Sequence, residues 1–555
     1  MITVFLNTVF FAGVALALAA AAQLYDHLRH WAAVDRIVAA SIPIGAMFVA
    51  AIGLREILEG PFHMWESVRL LPSYIIANGL PHYYPLDHGP VLDMMYGPVT
   101  AFAYYPVTFF AHRATTATMV AKLFTYTYFF LPAAWLLHQK NEPRRNAAFA
   151  VLCFLAFALY SHETDVLSGS GYANHADAPA LGLGAAACAL LLKRRSSDDW
   201  LMIMASAGCA VLSVWTKQVM IPLVIAIPMY YALIGDGRTS RRFLAGLLLC
   251  GTLAAVVFGN LFGFNRLWAN LVINPCRQPW EGTWVKLQGR AIVELMDECR
   301  WIGLLVILYA VYTLRLWRQP WEKFRAWIAQ RPWGFLLFVG LCMVPTAIIG
   351  RVKAGGGLNA LSFSMYYLVI AAGLIVREVA ASDEVAVLDR TARNLAKVGV
   401  IFSLWSSVVL HALTLSYFYL HLAQNIRALD TNPLRAGYRF MKHHPQEVYL
   451  PWNCLTSFLA EGRLYHFDYA LLDREIGGAP VTPEHFREGV PDHLRWIAFP
   501  PTAQDEFARQ FLPEFSRRID LPELPGWTVY IRPDDEDAAS PLAMTPSRRP
   551  LDDLL

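Results

Sequence analysis

His63-Met-Trp65-Glu66-Ser, then Tyr74, Gly79-Leu-Pro-His82-Tyr83-Tyr84-Pro, Asp87-His88-Gly-Pro, Asp93 and Tyr96-Gly97-Pro98 crowd acids, histidines, aromatics and turn residues into one stretch, 63–98. On both sides the chain is mostly apolar. A polar loop bearing carboxylates, carried on a block of apolar helices, is the feature around which the rest is organised.

The flanks decide the class. Of 555 residues 56% are hydrophobic and 16% charged, where a soluble chain carries about 25% charged. Apolar runs near bilayer-spanning length recur at 2–22, 37–55, 117–138, 146–161, 179–192, 200–216, 219–234, 243–263, 301–317, 333–350, 361–376 and 397–420, about twelve spans by the length rule. The first run lacks a charged start and a clear cleavage site, so it reads as a membrane helix rather than a signal peptide. Segment 99–112 is aromatic, holds Pro106 and is short, and reads as a helix lying in the interface. A formal net charge of +3 without a basic tract gives no sign of nucleic-acid binding. Five of the eight cysteines, Cys153, Cys188, Cys209, Cys250 and Cys342, lie in apolar runs and read as packing residues. Cys276 and Cys299 share one loop, which allows a disulfide in an oxidising compartment, and Cys454 is left over.

Basic clusters occur in every second loop: Lys140/Arg144/Arg145, Lys193/Arg194/Arg195, Arg238/Arg241/Arg242, Arg315/Arg318/Lys323/Arg325 and Arg377/Arg390/Arg393/Lys397. The positive-inside rule places them in the cytoplasm. Loops 63–98, 162–178, 264–300 and 351–360, and everything after 420, then fall outside, provided 99–112 does not cross. The membrane part is taken as 1–424. From 425 to 532 charge and proline rise; Val448-Tyr-Leu-Pro, Arg495-Trp-Ile-Ala-Phe and Trp527-Thr-Val-Tyr-Ile read as strands, and Phe507, Phe511 and Phe515 recur at helical spacing. The expectation is a mainly α polytopic bundle with a small C-terminal α/β domain on the outer face and a disordered tail at 533–555.

Candidate chemistry collects on that outer side. Glu66 is a carboxylate placed to take a proton from an incoming hydroxyl or to hold a metal ion, although a single loop acid is more often merely solvated. Asp177, in His175-Ala-Asp177-Ala-Pro, opens a span, where an acid also suits the helix dipole; Asp165 is a weaker candidate for the same role. Lys217, in Thr216-Lys217-Gln218, and Arg351 and Lys353, in Arg351-Val-Lys353-Ala-Gly-Gly-Gly-Leu-Asn359, break the charge rule. They either snorkel to headgroups or hold a lipid-linked phosphate, the glycines offering backbone N–H groups and Asn359 a further contact to sugar or phosphate. His63, His82, Asp87, His88 and Asp93 carry metal-ligating atoms at spacings that match no defined site. Substrate contact suits this loop better, with Trp65, Tyr83 and Tyr84 as stacking surfaces beside His63, Asp87, His88 and Tyr96.

Taken together, these motifs and their order over about 37–380 resemble bacterial GT-C fold glycosyltransferases, in particular the aminoarabinose transferases and protein O-mannosyltransferases. The resemblance implies a polyprenyl-phosphate sugar donor, a glycan, lipid or protein acceptor of the cell envelope, and inverting transfer on the periplasmic face of the bacterial inner membrane. It implies Glu66 as the base toward the acceptor, Asp177 as the second-loop acid, and Lys217, Arg351 and Lys353 as phosphate contacts. The chain departs from the pattern in having an extra span before the first loop and one acid after Trp65 where many relatives show a pair. A divalent ion (Mg or Mn) therefore stays open and no other cofactor is implied. Two alternatives compete. A transporter or flippase of lipid-linked sugars fits the span number, but the ionisable residues gather at span ends and no two-halves repeat is visible. An O-antigen ligase or polymerase type enzyme would place its richest outer loop late in the chain rather than early.

Overall fold

The computed structural model describes residues 2–60, 63–92, 94–138, 143–280, 282–300, 303, 320–381, 390–429, 432–504 and 506–535. Asp93, Lys140, Arg315, Arg318, the run 301–317 apart from Gly303, and the tail beyond 535 lie outside the described residues.

The chain forms two compact units. The first comprises Met1–Pro61, Trp65–Tyr83 and Met94–Asp430, and the second Phe62–Met64, Tyr84–Asp93 and Thr431–Leu555. The first is helical: α1 Ile2–His27, α2 Ala33–Glu59, α3 Met64–Ala77, α4 Pro98–Tyr104, α5 Ala114–Leu137, α6 Arg144–Glu163, α7 Asp165–Gly171, α8 Asp177–Lys193, α9 Trp200–Thr216, α10 Ile221–Leu233 and α11 Gly237–Phe262 are followed by the long helices Pro332–Val352, Ser362–Ala381 and Arg390–Leu420. Among the described residues eight helices are long and apolar enough to cross a membrane, with shorter apolar helices at Trp200–Thr216 and Gln218–Leu233. Their outer faces carry exposed Leu248, Leu253, Leu261, Phe402, Leu413 and Tyr417, a surface suited to lipid rather than water. The segment expected to lie in the interface folds as α4 plus a 3₁₀ turn at Tyr105–Phe109. Together they are too short to span, and Phe109 and Phe110 are exposed. The loop 264–300 is itself structured: a helix at Phe264–Trp268 passes through a π turn at Ala269–Ile273, and a further helix covers Trp284–Glu298.

The core of this unit gathers around helix Ser362–Ala381, with Phe363, Tyr366 and Tyr367 fully enclosed beside Phe129, Leu181, Cys188 and Met343. The small residues of α8, Ala178, Ala180, Gly182, Ala185 and Ala187, let backbones approach, as in membrane helix pairs. A Cβ at Gly182 would lie 2.2 Å from the Tyr128 carbonyl oxygen. That close packing of α8 on α5 fixes where Asp177, at the head of α8, is held.

The second unit carries a four-stranded sheet, β1 Val448–Tyr449, β2 Trp496–Phe499, β3 Arg517–Ile519 and β4 Thr528–Ile531, in the order β1-β2-β4-β3. β1 and β2 run parallel and the other pairs antiparallel. The three strands expected from sequence are present; β3 is an addition. The spaced phenylalanines give a 3₁₀ turn, Phe507–Phe511, rather than an α-helix, and Phe515 lies beyond it. The buried Asp468 carboxylate accepts from the amides of Phe507 and Ala508 and so caps that turn. Segment Tyr84–Asp93 is tied into this same unit. Phe467 N donates to Val91 O (2.8 Å), Val91 N to His466 Nδ1 (2.9 Å) and Gly89 N to Glu488 Oε2 (3.0 Å). His485 Nε2 meets Gly89 O at 2.7 Å, and Arg474 donates to Leu86 O.

Candidate active site

Two carboxylates organise the polar interior of the first unit. Glu66 stands in the first turn of α3 and is 3% exposed; Asp177 stands in the first turn of α8 and is 0% exposed. Burial on this scale requires partners, and each acid has them. Glu66 Oε1 accepts from Lys122 Nζ of α5 at 2.7 Å and Oε2 from the Asn174 amide at 3.2 Å. Asp177 Oδ1 meets Lys217 Nζ and His175 Nδ1, each at 2.6 Å. Its Oδ2 accepts from Asn359 Nδ2 (2.6 Å) and Ser170 Oγ (3.0 Å). Ser170 Oγ in turn bonds Ser362 Oγ at 2.8 Å.

The two acids are joined through 174–177. Asn174 Oδ1 accepts from Thr125 Oγ1 (3.0 Å), Thr125 Oγ1 lies 2.9 Å from Tyr104 OH, and Tyr104 OH donates to His175 O at 3.0 Å. Burial holds the His175 imidazole well below its ordinary range, at about 3, with Arg69 and Lys217 reinforcing the shift and Asp177 opposing it. A neutral ring facing a carboxylate at 2.6 Å must carry its proton on Nδ1, which leaves Nε2 to accept from Tyr96 OH at 3.0 Å. Burial also raises the Glu66 carboxyl above its ordinary range; the Lys122 charge and hydrogen bond, the Asn174 amide and Arg69 act against it without cancelling it.

Lys217 is positioned by aromatic rings as well as by charge, its Nζ lying 5.1 Å from the Tyr96 ring centroid and 5.0 Å from that of Phe363. The next residue, Gln218, clamps the surroundings: Nε2 donates to Met95 O (2.9 Å) and to Leu271 O of the π turn (3.1 Å). Gly97 fits because it has no side chain. Its amide donates to Thr216 O at 3.1 Å, and a Cβ there would sit 1.8 Å from Trp215 O. Gly97→Ala is therefore expected to destabilise the chain by about 2–3 kcal/mol or more, because backbone must move. Thermal unfolding in detergent checks this, and a wild-type midpoint would contradict it.

The structure thus brings together Glu66, Asp177, Lys217, Asn359 and Tyr96 from the residues expected in sequence. Trp65 borders Glu66 in sequence, with the Arg69 guanidinium 5.7 Å from its ring centroid. Tyr83 is buried and donates to Tyr96 O at 2.7 Å, behind the network rather than in it. Arg351 is engaged elsewhere: Nε and Nη2 pair with Glu294 at 2.8 and 3.0 Å, and Nη1 donates to Gly356 O. Lys353 Nζ donates to Pro275 O (2.6 Å) and lies over the Trp280 ring. The Gly356 amide is used in a turn to Lys353 O. His63, Tyr84, Asp87 and His88 belong to the second unit; Asp87 and His88 are exposed and bonded to each other at 2.9 Å. Asp165 is exposed at the start of α7. Among the described residues no group of three or more His, Cys, Asp or Glu is placed to hold a metal ion, and all eight cysteines, Cys276 and Cys299 included, are unpaired. Sequence reasoning missed Lys122, Asn174, Ser170 and Thr125. Lys122 had a signal, being a lone charge inside an apolar run.

These buried acids and the lysine, gathered at helix ends, sit in a multi-pass helical bundle, and the solved structures it resembles give the GT-C fold. Among solved structures, ArnT from Cupriavidus metallidurans bound to undecaprenyl phosphate superposes with a TM-score of 0.53 at 10% identity, over 89% of this chain and 99% of that chain. The apo state of the same protein gives 0.52 at 12% identity over the same shares. At these identities the likeness is one of fold. No family model and no curated protein sequence matches the chain.

Proposed function

We propose that the chain is a membrane glycosyltransferase that moves a sugar from a polyprenyl-phosphate donor to a hydroxyl of a cell-envelope acceptor on the periplasmic face, with inversion at the anomeric carbon. The observation that carries the reading is the linked pair of buried carboxylates, Glu66 and Asp177, with Lys217 seated on the second at 2.6 Å. The donor class is suggested by the undecaprenyl phosphate held by ArnT in the same fold. In the proposed step the acceptor O–H gives its proton to Glu66 as its oxygen bonds the anomeric carbon. The bond from that carbon to the phosphate oxygen breaks, and its electron pair leaves with the polyprenyl phosphate. A hydroxyl is a weak nucleophile at neutral pH, so the base assists bond formation. Lys217 would offset the charge growing on the leaving phosphate, whereas Arg351 and Lys353 are held by Glu294 and by the Pro275 carbonyl. Asp177 would hold Lys217 and Asn359 in position for that phosphate.

Mass spectrometry of lipid-linked sugars and envelope glycans, in cells with and without the protein, tests this. The expected result without it is accumulation of one polyprenyl-phosphate sugar and loss of one envelope modification. Unchanged profiles of both would overturn the reading. Movement of a lipid-linked sugar across sealed vesicles with no covalent product would replace it with transport.

A further inference from the structure

Lys122 is a buried ionisable group that the proposed chemistry leaves without a task. It lies within α5, a helix long and apolar enough to cross a membrane, and is 1% exposed. A lysine in that setting is costly unless its charge is matched. Its ammonium donates to Glu66 Oε1 at 2.7 Å and to the Tyr172 carbonyl. The chain makes room for its stem with a glycine: a Cβ at Gly60 would stand 2.8 Å from Lys122 Cε and 3.7 Å from Glu66 Oε2. The remaining charged and titratable groups around Glu66 are Arg69 on its own helix, Tyr104 on α4, Tyr126 on α5 and, next to Lys122, Glu56 on α2. Among the described residues Lys122 is the one cation in direct contact with the carboxylate.

We propose that Lys122 is a positioning residue for Glu66, holding its carboxylate ionised and oriented inside the bundle so that it accepts a proton from the acceptor hydroxyl. This rests on the reading of Glu66 as the base. Lys122 itself does not touch the reacting atoms. Burial alone drives a carboxyl toward the neutral acid, which accepts no proton; an ammonium at 2.7 Å opposes that drift. Burial makes the carboxylate more basic than a solvated one, and the ammonium acts against that shift in favour of the ionised form.

Infrared difference spectroscopy of the full-length protein in detergent, titrated with acid, reads the protonation of Glu66 directly. Glu66→Gln identifies the carboxylic C=O band. In Lys122→Met the band is expected to persist to a pH higher by roughly one to three units, whereas Lys122→Arg stays near the wild type. Gly60→Ala keeps the charge but crowds the stem, and gives a smaller shift of the same sign should Lys122→Met not survive extraction. A lysine that merely fills space would lower the unfolding temperature and leave the band where it is. An unmoved band in Lys122→Met, or in Gly60→Ala in its place, overturns the proposal, as does a Glu66 band already fully developed in the wild type at neutral pH. The band responds whether or not the chain transfers sugar, so the glycosyltransferase reading stands or falls separately on the lipid-linked sugar profiles.

Discussion

Asp177→Ala is expected to cost the chain about 3–5 kcal/mol and, with it, its activity, because a buried ion pair broken on one side leaves the other charge uncompensated. The residue is fully enclosed, and both of its oxygens are saturated by Lys217, His175, Asn359 and Ser170. Removing it strands the Lys217 ammonium, 16% exposed and ringed by Tyr96 and Phe363. Asp177→Asn keeps the shape but not the chemistry. Its amide NH₂ must face Lys217 or Asn359, and each of those donates. The double variant Asp177→Asn/Lys217→Met removes both charges, so the unfolding temperature in detergent should recover toward the wild type. Transfer should not recover, remaining about 10²–10³-fold down, since the cation proposed to face the phosphate is gone together with its support. Wild-type transfer by Asp177→Asn would show that the carboxylate is only packing.

The sequence made the helices legible because the bilayer rule is coarse and strong: runs with little or no charge near spanning length became helices from α1 to Arg390–Leu420 wherever the residues are described. The 99–112 segment was legible as a short helical element for the same reason. Glu66, Asp177 and Lys217 could be picked out because charges at helix ends in an apolar chain are few, and Asn359 because it follows the glycine run at 355–357. Their pairing could not, because it depends on how α5, α7, α8 and the 351–361 loop stack, and local pattern carries no register between helices. Arg351 illustrates the gap. Its partner Glu294 lies on a helix, Trp284–Glu298, inside what the hydropathy pattern gave only as a loop. The attachment of Tyr84–Asp93 to the C-terminal unit was likewise invisible, since its bonds run through backbone amides and carbonyls that any sequence supplies. β3, Arg-Arg-Ile, was missed because two of its three residues are exposed and charged.

Glu66→Gln carries the sharpest consequence for the proposed mechanism. Glutamine nearly matches glutamate in shape and still accepts from the Asn174 amide, but takes no proton from a hydroxyl, so transfer should fall by about 10²–10⁴-fold. Stability falls as well, because Lys122 loses its counter-charge at a fully buried site; Glu66→Gln/Lys122→Met should regain the stability and none of the transfer. The pH dependence separates the two effects. Burial raises the Glu66 carboxyl above its unfolded value, so its proton stabilises the folded chain. That contribution is complete below the ordinary carboxylate range and is lost as pH rises through the raised folded value. The base works only when ionised, so transfer rises over the same interval in which this share of stability declines. In the wild type the two curves should run in opposite directions as pH rises above the ordinary carboxylate range. In Glu66→Gln the unfolding temperature should lose this component of its pH dependence, and the transfer that remains should lose its acidic limb. An acidic limb unchanged in Glu66→Gln would assign the base to another residue.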